Sequence, residues 1–347
     1  MVWQGLRIAA VLAFLLAFFT VVYIQRSQMG SVLVIHSYNT DYDWVVAINE
    51  GLEREFETRR DVAVLYHYMD LKNHTDADFR RTATNLANRA IDEAQPDVLV
   101  LFDDVAQQLV GMHYAGDETE IAVVYGGVNA EPEVYYGNNP NVTGILERKP
   151  LLAIRETLLA MGTTLPPRDG PMQVQFIGDL SASITAEIPF FETIDWAPLV
   201  WLPPVQVETF NAWQAAVARA EQEADILLLT NYQQVRAAPG EAFVRPAAQV
   251  MQWTEANAAV PVLGLGWTNG QDGAMLTVSS SPFEQGEIAA RMALAIIDGA
   301  APAALAVRLP EQFLVHLCKT ALDRRGIAVP DFYEAFARAT DNFYEDC

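Results

Sequence analysis

Short apolar runs alternate with longer amphipathic stretches along most of the chain. Beyond residue 30, the first runs are VLVIH (32–36), VAVLYHY (62–68), DVLVLF (97–102) and IAVVYGG (121–127). Between them, apolar positions recur with a helical period over about residues 43–58, 76–94 and 103–114. Strands and helices in strict turn indicate a parallel sheet, because parallel neighbours need a long crossover connection.

A second series of the same kind follows a helix predicted over about residues 150–162. Its apolar runs are VQFIG (174–178), LVWL (199–202), ILLLT (226–230), VPVLGL (260–265) and AMLTV (274–278). The chain has 347 residues, of which 51% are hydrophobic, and this suits about two domains. The pattern predicts an α/β fold with two doubly wound parallel-sheet lobes and an interlobe cleft.

We expect lobe 1 to span residues 31–145 and lobe 2 to span residues 146–280. Residues 281–325 are predicted to return and contribute to the lobes and the hinge, and residues 326–347 to form a C-terminal tail.

Polar residues follow the predicted strands in both halves. In an open parallel sheet, ligands bind beyond the carboxyl ends of the strands, where loops enter helix N-termini. Such residues occur in HSYN, DD and GGVN of the first half, and in GDLSAS, TNYQQ and GWTNGQDG of the second. The predicted ligand-binding residues are His36, Ser37, Tyr38, Trp44, Asp103, Asp104, Gly127, Asn129, Asp179, Ser181, Ser183, Asn231, Tyr232 and Trp267.

The stretch after the first strand combines a histidine, a serine and several aromatic residues. His36 either contacts a ligand, as a hydrogen-bonding group or a base, or makes a structural hydrogen bond. Tyr38, Tyr42 and Trp44 can form an apolar wall, although Trp44, on the first turn of a helix, can equally pack in the core. Trp267 is either a cleft aromatic or a loop anchor.

Two pairs of polar residues leave two interpretations each. One carboxylate of Asp103 and Asp104 can cap the helix that follows, which leaves the other for a ligand ammonium or hydroxyl. Ser181 and Ser183 either cap a helix or bind a ligand carboxylate. Lys72 follows the second strand, and we expect it to stay solvated and to make no ligand contact.

Motifs of catalysis and metal binding are missing from the sequence. It has no G-x-S-x-G, P-loop, G-x-G-x-x-G or H-E-x-x-H, and its five His and two Cys show no metal-ligand spacing. Asp103 and Asp104 could act as acid and base, but side chains of adjacent residues usually point apart. We therefore predict no enzyme, no catalytic residue, no metal and no cofactor.

An uncharged apolar run covers residues 8–24, with Arg7 before it and Arg26 after it. It is at the short limit for a membrane span and longer than the usual apolar core of a signal peptide. No A-x-A-like cleavage site follows, so we predict that residues 1–30 contain an uncleaved signal anchor, with a cleaved signal peptide as the alternative. The predicted location is the bacterial cell envelope, periplasmic or extracytoplasmic, anchored by residues 8–24.

Charge and cysteine content add two expectations. The 22 Lys and Arg face 44 Asp and Glu, and the net charge of −22 would repel phosphate backbones, so no nucleic-acid partner is expected. Cys318 and Cys347 can pair in an oxidising compartment or remain free thiols.

Several weak motifs, taken in order, resemble a known family. They are VLVIHSYNTDYDWVVAINEGLEREF, YMDLKN (68–73), PDVLVLFDDVA (96–106), VVYGGVN (123–129), VTGILE (142–147) and FEQGEIAARMALAIIDG (283–299). Together they resemble the ABC-type substrate-binding proteins of the periplasmic-binding-protein type I fold. Similar domains serve as extracytoplasmic sensors of bacterial histidine kinases and diguanylate cyclases. The resemblance covers residues 31–325 and implies two lobes, joined by a multi-strand hinge, that close on a small ligand.

The expected function follows from this resemblance and from the strand-end residues. We expect an extracytoplasmic solute-binding protein that serves an ABC permease and ATPase and binds a small polar or aromatic amino-acid-like ligand. The alternative is a ligand-sensing or accessory module for a membrane signalling partner. The strand-end loops carry no Lys or Arg to neutralise phosphate, which favours a zwitterion over a phosphorylated ligand.

Overall fold

The structure, a computed structural model, describes residues 11–12, 14–18, 29–74, 76–114, 121–165, 170–241 and 246–347. Most of the apolar run at 8–24, and with it the predicted anchor, lies outside these residues. In the part of the chain that is described, no helix has the length and apolar character needed to cross a membrane.

Lobe 1 is built on a five-stranded parallel sheet with the order β2-β1-β3-β4-β5. The strands are β1 (Gly30–His36), β2 (Val62–Tyr68), β3 (Val98–Phe102), β4 (Ala122–Val128) and β5 (Val142–Leu146). The helices are α1 (Asp43–Phe56), α2 (Ala77–Ala94), α3 (Asp103–Ala106), α4 (Met112–Tyr114) and α5 (Glu133–Tyr136), with a π-helical turn at Gln107–Gly111. Every residue of β3 and β4 is buried because helices cover both faces of the sheet, as the uninterrupted apolar runs predict.

Lobe 2 is built on an eight-stranded sheet with the order β13-β12-β11-β10-β9-β6-β7, in which β8 also pairs with β6. The strands are β6 (Gln173–Asp179), β7 (Val200–Trp201), β8 (Val205–Val207), β9 (Ile226–Leu229), β10 (Val262–Gly264), β11 (Leu276–Ser280), β12 (Phe313–Cys318) and β13 (Phe343–Tyr344). The helices are α6 (Leu151–Gly162), α7 (Ala182–Phe191), α8 (Phe210–Glu223), α9 (Ala247–Asn257), α10 (Trp267–Gln271), α11 (Pro282–Ile297), α12 (Lys319–Arg325) and α13 (Asp331–Ala339), of which α11 packs in lobe 1. Together the two sheets give the predicted α/β fold class.

The sheet of lobe 2 differs from the all-parallel expectation at one pair of strands. β12 runs antiparallel to β11. The reason is the path of the chain, since it leaves lobe 2 at the cleft end of β11, adds α11 to lobe 1 and returns to lobe 2 at the same end. A strand that enters from that end must run opposite to its neighbours.

The return segment joins lobe 1 through a close helix pair. The Ser281 side chain accepts a hydrogen bond from the Glu284 amide and so caps the first turn of α11. Ala289, Ala290 and Ala293 of α11 are fully buried in the core of lobe 1. Residues 281–325 therefore supply a helix to lobe 1 and strand β12 to lobe 2.

Residues 326–347, predicted as a tail, carry α13 and β13. Tyr333 and Ala337 of α13 are buried against the core of lobe 2, and β13 pairs with β12 in parallel. Cys318 and Cys347 form a disulfide, with their Cα atoms 6.1 Å apart. The pairing that the sequence left open is thus present, and it fixes the last residue to β12.

Candidate functional site

A cavity of about 50 Å³ lies between the lobes, beyond the carboxyl ends of their strands. By this measure one water needs about 10–15 Å³, so the cavity has room for only a few waters. Its wall consists of Tyr38, Tyr42, Trp44, Lys72, Asp103, Asp104, Asn129, Glu147, Lys149, Ser183, Glu187, Asn231, Gly266, Trp267 and Thr268. Both lobes and the segment that follows β5 contribute, so the cavity depends on how the lobes sit together.

Asp103 is the cavity residue whose carboxylate is least satisfied by the protein. It follows β3 directly, has a φ of 67° and is 6% exposed. By distance and angle its buried Oδ2 atom has no hydrogen-bond partner among the described residues, although the Trp44 indole N–H, unpartnered by the same criterion, is near enough to lower the pKa of this carboxyl. Burial raises the pKa of this carboxyl well above its usual range, and Glu147 adds to the shift while Lys72 opposes it. A left-handed backbone at a non-glycine residue is uncommon, and here it occurs at a residue that lines the cavity.

Asp104, the next residue, has a carboxylate that the protein itself occupies. It accepts hydrogen bonds from the amides of Asn129 and Ala130, both at 3.0 Å, and from the Tyr135 hydroxyl at 2.9 Å. Neither aspartate caps the helix that begins here, in contrast to the sequence-based interpretation. Asp104 instead fixes the loop after β4, whereas the Asp103 carboxylate makes none of these contacts.

The aromatic wall is formed by two tyrosines and two tryptophans. The rings of Tyr38 and Tyr42 meet edge to face, with centroids 5.5 Å apart. Trp44, on the first turn of α1, both lines the cavity and packs in the core of lobe 1. Trp267 faces it from lobe 2 and packs edge to face on buried His316.

Lys72 does not lie where the sequence placed it. It is half-buried in the cavity wall, with its Nζ atom 4.7 Å from the ring centre of Tyr38 and 4.9 Å from that of Tyr42. Burial by itself would lower the pKa of the Lys72 amine. The neighbouring acidic groups, of which Tyr42 has the largest effect, outweigh burial and raise the pKa. The prediction of a solvated loop residue is therefore wrong. The loop is brought inward because the Met69 and Leu71 amides donate to the carbonyls that end and follow β1.

A buried ion-pair cluster, formed by Glu147, Lys149 and Glu187, closes one side of the cavity. The Lys149 ammonium is 3.0 Å from a Glu147 carboxylate oxygen and 3.7 Å from a Glu187 oxygen. Burial opposes the charge on Lys149, but the two glutamates outweigh it and raise the pKa of the amine. Burial also raises the pKa of Glu187, against the effect of Lys149. Glu187 belongs to lobe 2, so this cluster links the segment after β5 to that lobe.

Lobe 2 contributes neutral hydrogen-bonding groups. The Asn231 side-chain amide donates to the Ser183 hydroxyl at 3.2 Å, and both residues line the cavity. Ser181 is buried behind them, 3.2 Å from Ser183 through their hydroxyls, and its side chain does not cap α7. Ser183 and Asn231 are thus neutral lobe 2 residues that line the cavity.

Eight of the predicted site residues line the cavity, namely Tyr38, Trp44, Asp103, Asp104, Asn129, Ser183, Asn231 and Trp267. The other six lie outside its wall and serve local structure. They are His36, Ser37, Gly127, Asp179, Ser181 and Tyr232.

Two of these outer residues, His36 and Ser37, show why polar strand ends need not face a ligand. His36 stacks between Tyr68 and Phe102, and burial lowers its pKa to about 3 despite a hydrogen bond with Asn49. The Ser37 hydroxyl donates to the Phe102 carbonyl at 2.7 Å. These contacts bind β1 to its neighbours.

The remaining outer residues shape loops around the cleft. Gly127 has a φ of 63° and donates its amide to Gln285 of α11. Asp179 accepts the amides of Ser181 and Gln234, at 2.9 Å each. The Tyr232 hydroxyl donates to Asp272, whose pKa burial raises to about 6.

Seven wall residues are absent from the predicted ligand-binding set, although Tyr42 among them was considered for the apolar wall. They are Tyr42, Lys72, Glu147, Lys149, Glu187, Gly266 and Thr268. One signal was available, because Ser183 and Glu187 are four residues apart on α7 and so share a face. Glu147 and Lys149 carry no such signal, since they lie on the connection between lobes.

The cavity combines two lysines with four carboxylates and an aromatic wall. Such a set can hold a small molecule that carries both charged and apolar groups. In the described part of the chain, no group of three or more His, Cys, Asp or Glu side chains is arranged to hold a metal ion. The sequence argument against a phosphorylated ligand assumed that no Lys or Arg lies near the site. Lys72 and Lys149 line the cavity from other segments, so the site does contain cations.

Comparisons with known proteins identify the fold. Neither a scan against protein-family profiles nor a search of curated protein sequences gave a match. Solved structures do match. A conserved domain protein from Vibrio cholerae has a TM-score of 0.65 at 17% identity, over 89% of this chain and 98% of that one.

Two further matches carry ligands in their structures. The ABC domain in complex with L-Trp from Streptococcus pneumoniae has a TM-score of 0.61 at 14% identity, over 88% of this chain and 98% of that one. A 5-methylthioribose transporter solute-binding protein from Thermotoga lettingae, in complex with 5-methylthioribose, has a TM-score of 0.52 at 14% identity, over 90% and 92%. The chain therefore has the periplasmic-binding-protein type I fold, which ABC transporter solute-binding proteins share.

Proposed function

We propose that this chain is the solute-binding protein of an ABC importer and that its two lobes close on a small amino-acid-like ligand. The fold supports the binding role, because matching structures include ABC solute-binding proteins with different small ligands. The observation that carries the ligand class is the buried Oδ2 atom of Asp103, which has no partner among the described residues and lies in the interlobe cavity. A ligand ammonium would satisfy it.

The other wall groups suit the rest of a zwitterion. Lys72 is a cation near Asp103 in the cavity wall, and it can receive the ligand carboxylate together with Ser183 and Asn231. Tyr38 and Trp267 flank the space from opposite lobes. Ser181, for which the sequence left capping and carboxylate binding open, lies behind Ser183, and we assign it the role of supporting Ser183.

The proposed partners are an ABC permease and its ATPase, and the proposed action is binding without chemical conversion. We place the protein outside the cytoplasm, because the Cys318–Cys347 disulfide requires an oxidising compartment in most organisms. Residues 8–24 would attach it to the membrane.

The anchoring proposal predicts that the exported protein keeps its first thirty residues. N-terminal sequencing of the mature protein checks this, and the expected result is a start at or near Met1. A start near residues 28–32 would show a cleaved signal peptide instead.

A panel of small molecules tests the ligand class. Amino acids at about a hundred times their dissociation constant should stabilise the folded protein by about 2.7 kcal/mol, seen as a shift in thermal unfolding. Sugars, nucleotides and phosphorylated compounds serve as the comparison arms and should give no shift. Stabilisation by sugars or nucleotides alone would contradict the amino-acid assignment. Mass spectrometry of the recovered ligand should show it unchanged.

A further inference from the structure

We propose that the ligand carries a second cationic group, on its side chain, and that Glu187 in the cavity wall binds it. The ligand class then narrows to amino acids with an ammonium or guanidinium group on a short side chain. This inference rests on the proposed function, which assigns the α-ammonium to Asp103, and it adds the charge of the side chain and the residue that recognises it.

The cavity wall holds more acidic than basic side chains. Its two ammonium groups, Lys72 and Lys149, face four carboxylates, so the wall has an excess of two negative charges when all six groups are ionised. The carboxylates are Asp103, Asp104, Glu147 and Glu187. A zwitterion leaves this excess unchanged because its own charges cancel. A ligand with one further cation lowers the excess, and this is favourable because uncompensated buried charge is costly.

Two of the four carboxylates are engaged by the protein on both oxygens. Asp104 accepts backbone amides on each of its oxygens. Glu147 accepts from the Lys149 ammonium at 3.0 Å on one oxygen and from the Asn129 side-chain amide at 3.3 Å on the other. The excess charge therefore falls on the other two carboxylates, Asp103 and Glu187.

Glu187 is the wall carboxylate that lobe 2 contributes, and it is 5% exposed. Its Oε2 atom accepts a hydrogen bond from the Thr230 hydroxyl at 3.1 Å. Its buried Oε1 atom has no hydrogen-bond partner among the described residues by distance and angle. The Lys149 ammonium lies 3.7 Å from Oε1, which is within ion-pair range, but it is closer to Glu147, at 3.0 Å. One ammonium is thus shared between two glutamates, and a Glu187 oxygen is left for a further donor.

The positions of the charged groups set the orientation of the ligand. Asp103 and Lys72 lie on lobe 1, whereas Glu187 lies on α7 of lobe 2, one helical turn after Ser183. Residues four apart on a helix have Cβ atoms roughly 5–6 Å apart. A ligand carboxylate near Ser183 and a cation at Glu187 are therefore joined by a short side chain. Such a ligand contacts both lobes through charged groups and so stabilises the closed arrangement.

The aromatic part of the wall also suits a cation. The faces of aromatic rings attract cations, and tryptophan does so most strongly. Tyr38 and Tyr42 already show this contact, since the Lys72 ammonium lies 4.7 Å and 4.9 Å from their ring centres. Trp44 and Trp267 line the same cavity. A second cation in this cavity is thus placed among rings that favour it.

Two amino acids with side chains of equal length test the assignment. Norleucine has a terminal methyl group where ornithine has an ammonium, so the pair differs mainly in the second charge. We expect ornithine to bind at least ten times more tightly than norleucine, measured by calorimetry on the full chain. This comparison needs no variant and therefore does not depend on how a substituted protein folds.

Glu187→Gln links the preference to this residue. The substitution keeps the shape of the side chain and removes its charge, so ornithine affinity should fall about tenfold and norleucine affinity should stay within twofold. Glu284→Gln is the matched control, because Glu284 is 3% exposed, lies outside the cavity wall and accepts the amides of Glu311 and Gln312. It should leave the ratio of the two affinities unchanged. Thermal unfolding of the ligand-free variants shows whether they are folded.

The possible failures are distinguishable. Equal binding of ornithine and norleucine would overturn the inference and leave the proposed function standing. A preference for ornithine that persists in a folded Glu187→Gln variant would also overturn it, because the cation would then bind elsewhere. If no amino acid binds, neutral or basic, the proposed function fails and this inference falls with it.

Discussion

Replacing Asp103 by Asn is expected to weaken binding of an amino-acid ligand about a hundredfold, or about 2.8 kcal/mol. The Oδ2 atom of Asp103 is buried in the cavity without a partner, so a ligand ammonium there would form a desolvated, charge-assisted pair. Asparagine keeps the shape and removes the charge. Losses of this size are typical when one partner of a buried, hydrogen-bonded charge pair is removed.

Asp104→Asn is the matched control, because it makes the same chemical change one residue away. Its carboxylate already accepts hydrogen bonds from Asn129, Ala130 and Tyr135. We expect this variant to lower the free energy of unfolding and to leave affinity within about threefold, about 0.6 kcal/mol. Equal affinity in the wild type and the Asp103→Asn variant would remove this carboxylate from the site.

The pH dependence of binding follows from the same residue. Burial holds the pKa of Asp103 well above its usual range in the ligand-free protein. Below that raised pKa the group is a neutral acid and cannot pair with an ammonium, so affinity should rise with pH as the carboxyl ionises. The sign for stability is opposite, because the raised pKa favours the folded state at low pH and this contribution is lost as pH increases. Asp103→Asn should remove both trends.

The sheets were largely predictable because their strands are buried on both faces. The run at 62–68 coincides with β2, the run at 97–102 begins one residue before β3, and the run at 121–127 begins and ends one residue before β4. Strands β5, β8, β12 and β13 were not predicted. β8 and β13 have three and two residues, which is too short for a periodic signal, and β12 depends on the chain's return from lobe 1.

The candidate site was only partly predictable from strand ends. The expectation that ligands bind beyond the carboxyl ends of parallel strands correctly placed Asp103, Asn129 and Asn231 at the cavity, because these strand ends meet at one edge of each sheet. It could not separate residues that face the cleft from those that tie strands together, such as His36. Nor could it find Lys149, which reaches the cavity only through the placement of the two lobes.

The contact between α1 and α11 shows how the return segment is held in lobe 1. A Cβ atom on Gly286 would lie 2.0 Å from the Ile48 carbonyl oxygen, and one on Gly51 would lie 2.1 Å from the Phe283 carbonyl oxygen. Both neighbours are backbone atoms, which cannot rotate away as a side chain does. The two helices therefore touch at a pair of glycines, and the approach requires the absence of side chains on both.

Gly286→Ala is accordingly expected to lower the free energy of unfolding by about 3 kcal/mol, because overpacking forces the helices apart. This sign is opposite to helix propensity, which favours alanine over glycine by about 1 kcal/mol within a helix. Chemical denaturation of the ligand-free protein measures it. Ala295→Gly, on the same helix, is the reverse control and should cost only about 1 kcal/mol. A Gly286→Ala protein more stable than the wild type would mean that α1 and α11 do not meet at these glycines.

The same substitution is expected to reach the ligand site. Separation of the helices should shift α11 and its Gln285 contact to Gly127, which lies next to Asp103. Ligand affinity should then fall together with stability, whereas Ala295→Gly should change stability alone.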